Sequence, residues 1–313
     1  MAGGLAGPLR ERVVLWVFTA GWSLVRAMPE RLARAVFTLV ADLAWWRRGR
    51  GVRQLEANLS RVLGPGAPAE ALRQASRAGM RSYLRYWCEA FRMPAWSRED
   101  LLARVRVVGD VDGYRRAVAT GSGYVAALPH MGNWDLAGAW SCLQGGAVVT
   151  VAERLQPEAL YDRFVTYRES LGMRVLPLTG SRSLVDELAS AAAVGKVVCL
   201  LADRDLRETG LEVDLFGEAA RIPSGPALLA LRTGAPLHPV TVSYDADGVV
   251  IHFHPRVPVP ESGTTRARAT AMTRALTAAF EEAIREAPQD WHMLQPLWSA
   301  DLERSPEPAG AGR

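Results

Sequence analysis

Lysine is almost absent from this chain. Of its 37 basic residues only Lys196 is a lysine. Its positive charge is therefore carried by arginine, whose planar fork suits carboxylate and phosphate groups. Cysteine is scarce too, with only Cys88, Cys142 and Cys199. An odd set, widely spaced and buried in apolar stretches, argues against a disulfide framework and a thiolate metal centre, and fits a reducing compartment. No run approaches the ~18 consecutive apolar residues of a membrane-spanning helix. There is no Gly-Lys-Ser/Thr phosphate loop, and Gly121-Ser-Gly123 precedes a strand-like run instead of joining strand to helix. Nucleotide chemistry is not expected from that pattern. The arginines form no stripe interleaved with aromatics, which argues against nucleic acid as a partner. No internal repeat and no Pro/Ser-rich linker divides the chain.

What the chain does have is apolar mass. Hydrophobic residues make up 49% of its 313 positions, ample for a core. The excess of base is mild, with net charge +4 and pI near 9.2. Ten tryptophans suit both packing and anchoring at a membrane boundary. Residues 13–25 are apolar and bracketed by Arg10, Arg12 and Arg26, with Trp16 and Trp22 inside. Residues 32–46 carry Arg34 and Asp42 and end in Trp45-Trp46-Arg47-Arg48. Two amphipathic stretches ending in Trp and Arg are expected to lie on an anionic membrane surface. The competing expectation is an ordinary helical hairpin of the protein's own core.

The first hundred residues read as helical, with helices predicted at 53–63 and 69–91 across the breaker Gly64-Pro65-Gly66. From Val105 the pattern changes. Short β-rich runs at 105–108, 124–128, 147–151, 175–178 and 197–201 alternate with helical spacing at 110–119, 134–143, 157–171 and 181–194. Two late strands, 237–243 and 249–254, flank the turn Asp245-Ala246-Asp247-Gly248 and predict an antiparallel hairpin. A long amphipathic helix over 265–286 follows. The expectation is an α/β fold: a mainly parallel central sheet flanked by helices, with a helical N-terminal region and a long C-terminal helix. Residues 1–304 read as one domain, with a helical part at 1–100 and an α/β body at 101–300; a boundary near residue 100 is the alternative. The tail 305–313 is expected to be disordered.

The most informative segment is His130-Met131-Gly132-Asn133-Trp134-Asp135. It lies between the apolar run 123–129 and the helix starting near Trp134, at the carboxyl end of a buried strand. Open α/β sheets place their chemistry at such ends. Gly132 and Asn133 supply the turn, and Asn133 can cap the helix. Asp135, in the first helical turn, is expected to fold back on the His130 imidazole, fix its tautomer and stabilise its protonated form. Backbone N–H groups of residues 132–134 are candidates for stabilising an oxyanion. Glu153 and Arg154 follow the strand 147–151, Asp203-Arg204-Asp205 follow the strand 197–201, and Arg168 sits on the helix between. These charges are expected at the same rim as His130. Arg221, ahead of a helix starting near Pro226, suggests an anion site. His252 and His254 share a strand face, a spacing that metals can use, but lack a third ligand; an exposed strand face is the expected reading. His238 reads as structural. Cys142 is a rival nucleophile, but its helical apolar setting suggests a packed thiol.

The hexapeptide resembles the His-x4-Asp motif of glycerolipid-type acyltransferases. More narrowly, it resembles the branch that holds the lipid A late acyltransferases and the actinobacterial phosphatidylinositol mannoside acyltransferases. Further blocks carry the resemblance through most of the chain: 151–157, 167–172, 201–206, 210–218 and 290–296. The resemblance implies a peripheral enzyme at the cytoplasmic face of the plasma membrane. It moves a palmitoyl-type acyl group from acyl-CoA to a mannose hydroxyl of a phosphoinositol glycolipid. It implies no cofactor or metal beyond the acyl-CoA co-substrate, and no acyl-enzyme. By the same resemblance His130, Asp135 and Asp203 are catalytic; the family usually has Glu at the position of Asp203, and the side chain here is one methylene shorter. Glu153, Arg168, Arg204 and Arg221 are the implied substrate-binding residues. Acylation of another glycolipid or a lysophospholipid is the near rival. A non-catalytic lipid-binding protein and a metal hydrolase are the distant ones.

Overall fold

The structure is a computed structural model and describes residues 21–154, 158–178, 184–205 and 209–304. Helices α1 (Glu30–Arg47), α2 (Arg50–Leu63), α3 (Ala69–Arg92) and α4 (Arg98–Ala103) lead into the α/β part. There follow β1 (Val105–Gly109), α5 (Val111–Thr120), β2 (Tyr124–Leu128), α6 (Trp134–Leu143), β3 (Val148–Ala152), α7 (Glu158–Ser170), β4 (Arg174–Pro177), α8 (Leu184–Ala193) and β5 (Val197–Leu201). The chain closes with β6 (Leu211–Leu215), β7 (Glu218–Ile222), α9 (Gly225–Thr233), β8 (Leu237–Tyr244), β9 (Val249–Phe253), α10 (Thr265–Glu286) and α11 (Ser299–Arg304).

Seven strands form one sheet in the order β1-β9-β8-β2-β5-β3-β4, and only the β8–β9 pairing is antiparallel. The α/β class, the mainly parallel sheet, the helical N-terminal region and the long C-terminal helix all match the sequence reading. Strand β2 is buried along its whole length, as expected of a central parallel strand covered on both faces. One face packs against α8, α9 and α10 through residues such as Val125, Val198, Leu229 and Phe280. The other packs against α3, α5 and α6 through residues such as Ala90, Tyr114, Ala126 and Trp140.

The pair β6–β7 forms a separate two-stranded sheet that the periodicity did not reveal. Its turn residues Phe216 and Gly217 both have positive φ, 55° and 82°, the geometry of a tight hairpin turn. Phenylalanine rarely takes that conformation, so the turn carries no Asn-Gly or Asp-Gly signal. The starts of the predicted helices at 157 and 181, and the tail 305–313, lie outside the described residues.

The N-terminal helices are tied to the body by specific bonds. Buried Asn58 of α2 donates to the carbonyls of Met293 and Gln295, and Arg61 pairs with Asp301 at 2.8 Å and Glu218 at 2.9 Å. Helix α1 buries Ala33 and Ala41 while Leu32, Val36, Leu39, Val40, Leu43 and Trp46 stay exposed. The spacing of these residues makes one continuous apolar stripe along the helix. Trp45 turns inward, its indole donating to Ser76, and Trp46 outward, at 73% exposure. No described helix is long and apolar enough to cross a membrane. Of the two tryptophans expected at a membrane boundary, Trp16 lies outside the described residues. Trp22 packs inward, its ring 5.0 Å from Phe91 and 5.7 Å from Tyr167. Three aromatic neighbours remove its apolar area from water, so a lipid contact is not needed to explain it.

Candidate active site

Two neighbouring parallel strands deliver the central pair. Leu128 ends β2 and Leu201 ends β5, and the two are register partners. His130 and Asp203 each stand two residues beyond that row, at the carboxyl edge of the sheet. The Ala202 N–H donates to the Leu128 carbonyl at 2.8 Å and holds the two strand ends together.

His130 Nδ1 lies 2.6 Å from Asp203 Oδ1. The other carboxylate oxygen accepts the His130 backbone N–H at 2.9 Å and the Trp291 indole N–H at 2.9 Å. Asp203 is 2% exposed, whereas the His130 side chain is 27% exposed. Burial pushes the Asp203 carboxyl up, but the His130 imidazole and the three hydrogen bonds outweigh it and hold the group below the usual carboxylate range. With Nδ1 committed to a carboxylate, Nε2 is left as the basic nitrogen of the ring.

Asp135 does not reach His130, which corrects the expectation that it holds the ring. Its Oδ1 accepts from Arg168 Nε at 2.7 Å and its Oδ2 from the Tyr86 hydroxyl at 2.9 Å. It is 2% exposed. Burial lowers the Arg168 pKa, but Asp135 raises it by more, and the guanidinium stays charged. Burial, with the Asp135 charge, pushes the Tyr86 phenol up, so it stays a donor. The carboxylate thus clamps the start of α6 to α7 and α3. Sequence proximity suggested the His130 contact, but α6 carries the Asp135 side chain toward α3 and α7.

The turn itself is over-determined. Gly132 has φ +59°, and a Cβ there would stand 2.4 Å from the Val242 carbonyl oxygen, so only glycine fits. Asn133 caps α6 through the Leu136 N–H at 3.0 Å, as expected. Its amide donates to Glu89 of α3 at 2.8 Å, and Glu89 also accepts from Arg85 at 2.8 Å. The Gly132 N–H donates to the Asp290 carbonyl at 2.8 Å, which removes it from the expected set of oxyanion donors. The His292 N–H donates to the His130 carbonyl at 2.7 Å, so residues 290–292 zip onto the motif. Buried His292 meets Ser82 Oγ through Nε2, and burial, then the nearby His130, pushes its pKa down to about 3.

The other predicted residues spread out. Glu153 is exposed just past β3, where Arg154 pairs with Glu158 at 3.5 Å. Arg204 is partly buried beside Asp203. Arg168 joins Asp135, not an open rim. Arg221 lies exposed on β7 and has no hydrogen bond or ion pair with His130 or Asp203. His254 is 7% exposed and stacks on His252 at 3.9 Å, which corrects the exposed-face reading. His238 is buried against the His254 carbonyl. Among the described residues no group of three or more His, Cys, Asp or Glu could hold a metal ion. Burial pushes the Cys142 thiol up, away from the nucleophilic thiolate. Sequence reasoning missed Trp291, Tyr86 and Glu89 as parts of the site. Trp291 lay inside a block already singled out, and its indole N–H was the available signal.

An apolar cavity lies next to the turn, with Trp134, the neighbour of the His130 ring, in its wall. Its outer end is lined by Trp134, Asp135, Leu128 and Leu201. The Trp134 ring stands 5.6 Å from the His130 ring and stacks on Tyr86 at 4.2 Å. The cavity then runs between α6 and strands β2 and β5 to Tyr114, Tyr124 and Val197 at the opposite sheet edge. An imidazole base close to an apolar slot can deprotonate a hydroxyl while a long apolar group is held alongside.

The profile of the bacterial lipid A biosynthesis acyltransferase family matches residues 8–300. The chain is 47% identical over 296 residues to the phosphatidylinositol mannoside acyltransferase of Mycolicibacterium smegmatis, covering 94% of each chain. It is 45% identical over 294 residues to that of Mycobacterium tuberculosis, covering 93% of this chain and 90% of the relative. Matches of this length include the strands, the turn and the cavity walls, and on them the chain belongs to the bacterial lipid A biosynthesis acyltransferase family.

Proposed function

We propose that the protein transfers a long-chain, palmitoyl-type acyl group from acyl-CoA to a mannose hydroxyl of a phosphatidylinositol mannoside. The observation that carries this is the His130–Asp203 pair, 2.6 Å apart, with the His130 ring 5.6 Å from the ring of Trp134, which lines the apolar cavity. His130 Nε2 takes the proton of the hydroxyl as its oxygen attacks the thioester carbonyl. Asp203 stabilises the imidazolium. The tetrahedral intermediate collapses, the C–S bond breaks, and the proton on His130 passes to the leaving thiolate. The thioester is already activated, so the chain's own residues need only position, deprotonate and reprotonate. We assign Glu153 and Arg204 to the polar acceptor and Arg221 to an anionic group of a substrate. Asp135 and Arg168 act as positioning residues for the turn that carries His130.

The proposed acceptor is a lipid, and the exposed stripe of α1 supports a peripheral membrane enzyme. A helix that buries one apolar face in protein and offers a second can lay the second into the headgroup boundary. Replacing Leu39 and Trp46 with Ser is expected to weaken binding to anionic liposomes, with stability unchanged within about 0.5 kcal/mol. Liposome co-sedimentation beside a thermal melt checks this; undiminished binding would remove the membrane role of α1. The central test is product analysis by mass spectrometry from purified protein, acyl-CoA and phosphatidylinositol mannosides. An acylated mannoside is the expected product. Acylation of a different glycolipid or a lysophospholipid, with the mannosides untouched, would replace the acceptor named here.

A further inference from the structure

The cavity has a built floor. Alternate residues of β2, Tyr124, Ala126 and Leu128, face it in register with Val197, Cys199 and Leu201 of β5. Three rows of paired side chains therefore step from the inner edge of the sheet to the outer one, each row about 6–7 Å from the next. The rows differ in bulk. The middle row is small, Ala126 beside Cys199, and the roof over it is Ala137 and Gly138 of α6. A Cβ on Gly138 would stand 2.5 Å from Sδ of Met173, which also lines the cavity.

The inner row is closed by aromatic rings. Tyr124 stacks on His238 at 4.7 Å and meets Tyr114 edge-on at 5.4 Å. Tyr114 packs on Phe253 at 4.9 Å, and its hydroxyl lies 2.6 Å from Ser141 Oγ of α6. Both tyrosines are 1% exposed. The plug is thus bonded to the roof and stacked on β8, and cannot swing aside without breaking several contacts. The Tyr124 hydroxyl has no hydrogen-bond partner among the described residues. Its ring, not its hydroxyl, does the closing.

We propose that Tyr124, braced by Tyr114, is the stop that sets the longest acyl chain this protein accepts, and that Ala126 and Cys199 keep the last stretch before it open. The inference rests on the reading of the cavity as the acyl-chain site. A chain that falls short of the stop leaves apolar surface uncovered, and one that overshoots must expose or buckle its end. Each methylene in a fitted apolar pocket is worth about tenfold or more in discrimination.

The test offers the full chain a competing mixture of acyl-CoA donors of graded length and reads product lengths by mass spectrometry. Ala126→Leu fills the middle row, and the preferred length is expected to fall by several methylenes, the long-to-short product ratio dropping at least about tenfold. Cys199→Leu, on the other strand of the same row, should act in the same direction. Tyr124→Leu should move the preference to longer chains, and Tyr124→Phe should keep the wild-type profile. An unchanged length profile in folded Ala126→Leu and Cys199→Leu proteins overturns the proposal. A second readout needs no catalysis: the rise in melting temperature with free fatty acids of graded length. It should peak at one length in the wild type and shift with the variants. If no acyl-CoA donor is used but this shift is seen, the proposed reaction falls and the stop stands. If no fatty acid of any length raises the melting temperature, the cavity takes no chain and the stop falls.

Discussion

Asp203 and Asp135 are equally buried, each 2% exposed, yet they hold different partners. Asp203 meets an imidazole that is partly open to solvent. Asp135 meets a mostly buried arginine and a fully enclosed tyrosine. The first pair contains an imidazole with a second ring nitrogen free of the carboxylate, the second a guanidinium that stays charged. A buried carboxylate on a histidine tunes a base, whereas a buried carboxylate on an arginine fixes a shape. The difference separates chemistry from scaffold within one turn of chain.

That separation can be broken most sharply at the imidazole. His130→Ala should cost roughly two to four orders of magnitude in transfer rate while the fold survives, because a partly exposed side chain is removed. Rates of transfer beside a circular dichroism melt check it; a loss under tenfold would end the assignment of His130 as base. Asp203→Asn keeps the shape but loses the charge beside the imidazole and is expected to cost about a hundredfold or more in rate. Asp135→Asn should show the opposite balance. It strands a buried guanidinium, which destabilises by about 3–5 kcal/mol, while the folded fraction loses less rate than Asp203→Asn does. Urea titrations compare the two variants. Adding Arg168→Met to Asp135→Asn should restore part of the lost stability, and a double variant no more stable than the single would refute the ion-pair account.

A pH series sharpens the contrast with the smallest effect. His292 has its pKa lowered to about 3, so the folded state resists protonation that the unfolded state accepts near 6.5. Its contribution to stability is present above pH 6.5 and is lost as pH falls, by on the order of 2 kcal/mol at pH 5. Asp203 has a lowered pKa too, and its contribution is lost only below the unfolded value near 3.9. Denaturation midpoints across pH should therefore show two limbs. His292→Asn should make the upper limb shallower, the remainder coming from His254 and His238, whose pKa values burial also lowers, and Asp203→Asn should act on the lower limb.

Much of the site was legible because its parts obey local rules. Helix α6 starts at Trp134 and β2 spans 124–128, as the apolar spacing and the Asn133 cap predict. His130 at a strand end follows from the same reading. The partner of His130 was not legible from spacing. A separation of five residues made Asp135 the natural candidate, and the true partner lies 73 residues away. The family resemblance pointed to Asp203, but only the adjacency of β2 and β5 shows its contact. Trp22 left two expectations open for a similar reason, since an aromatic next to arginines reads alike at a lipid boundary and in a core; the structure shows its ring against Phe91, Phe164 and Tyr167.

By itself the sequence determined the alternation of strands and helices in the main sheet and the strand–turn–helix around His130. These depend on interactions within a few residues, which hydrophobic period and capping report directly. Only the tertiary structure decided which carboxylate faces the imidazole, where Trp291 donates, and that two tyrosines close the apolar slot. Those contacts join β2, β5, α5 and the segment after α10, brought together by sheet order and helix packing. No local pattern encodes that order, because it is set by how the whole chain buries its apolar faces.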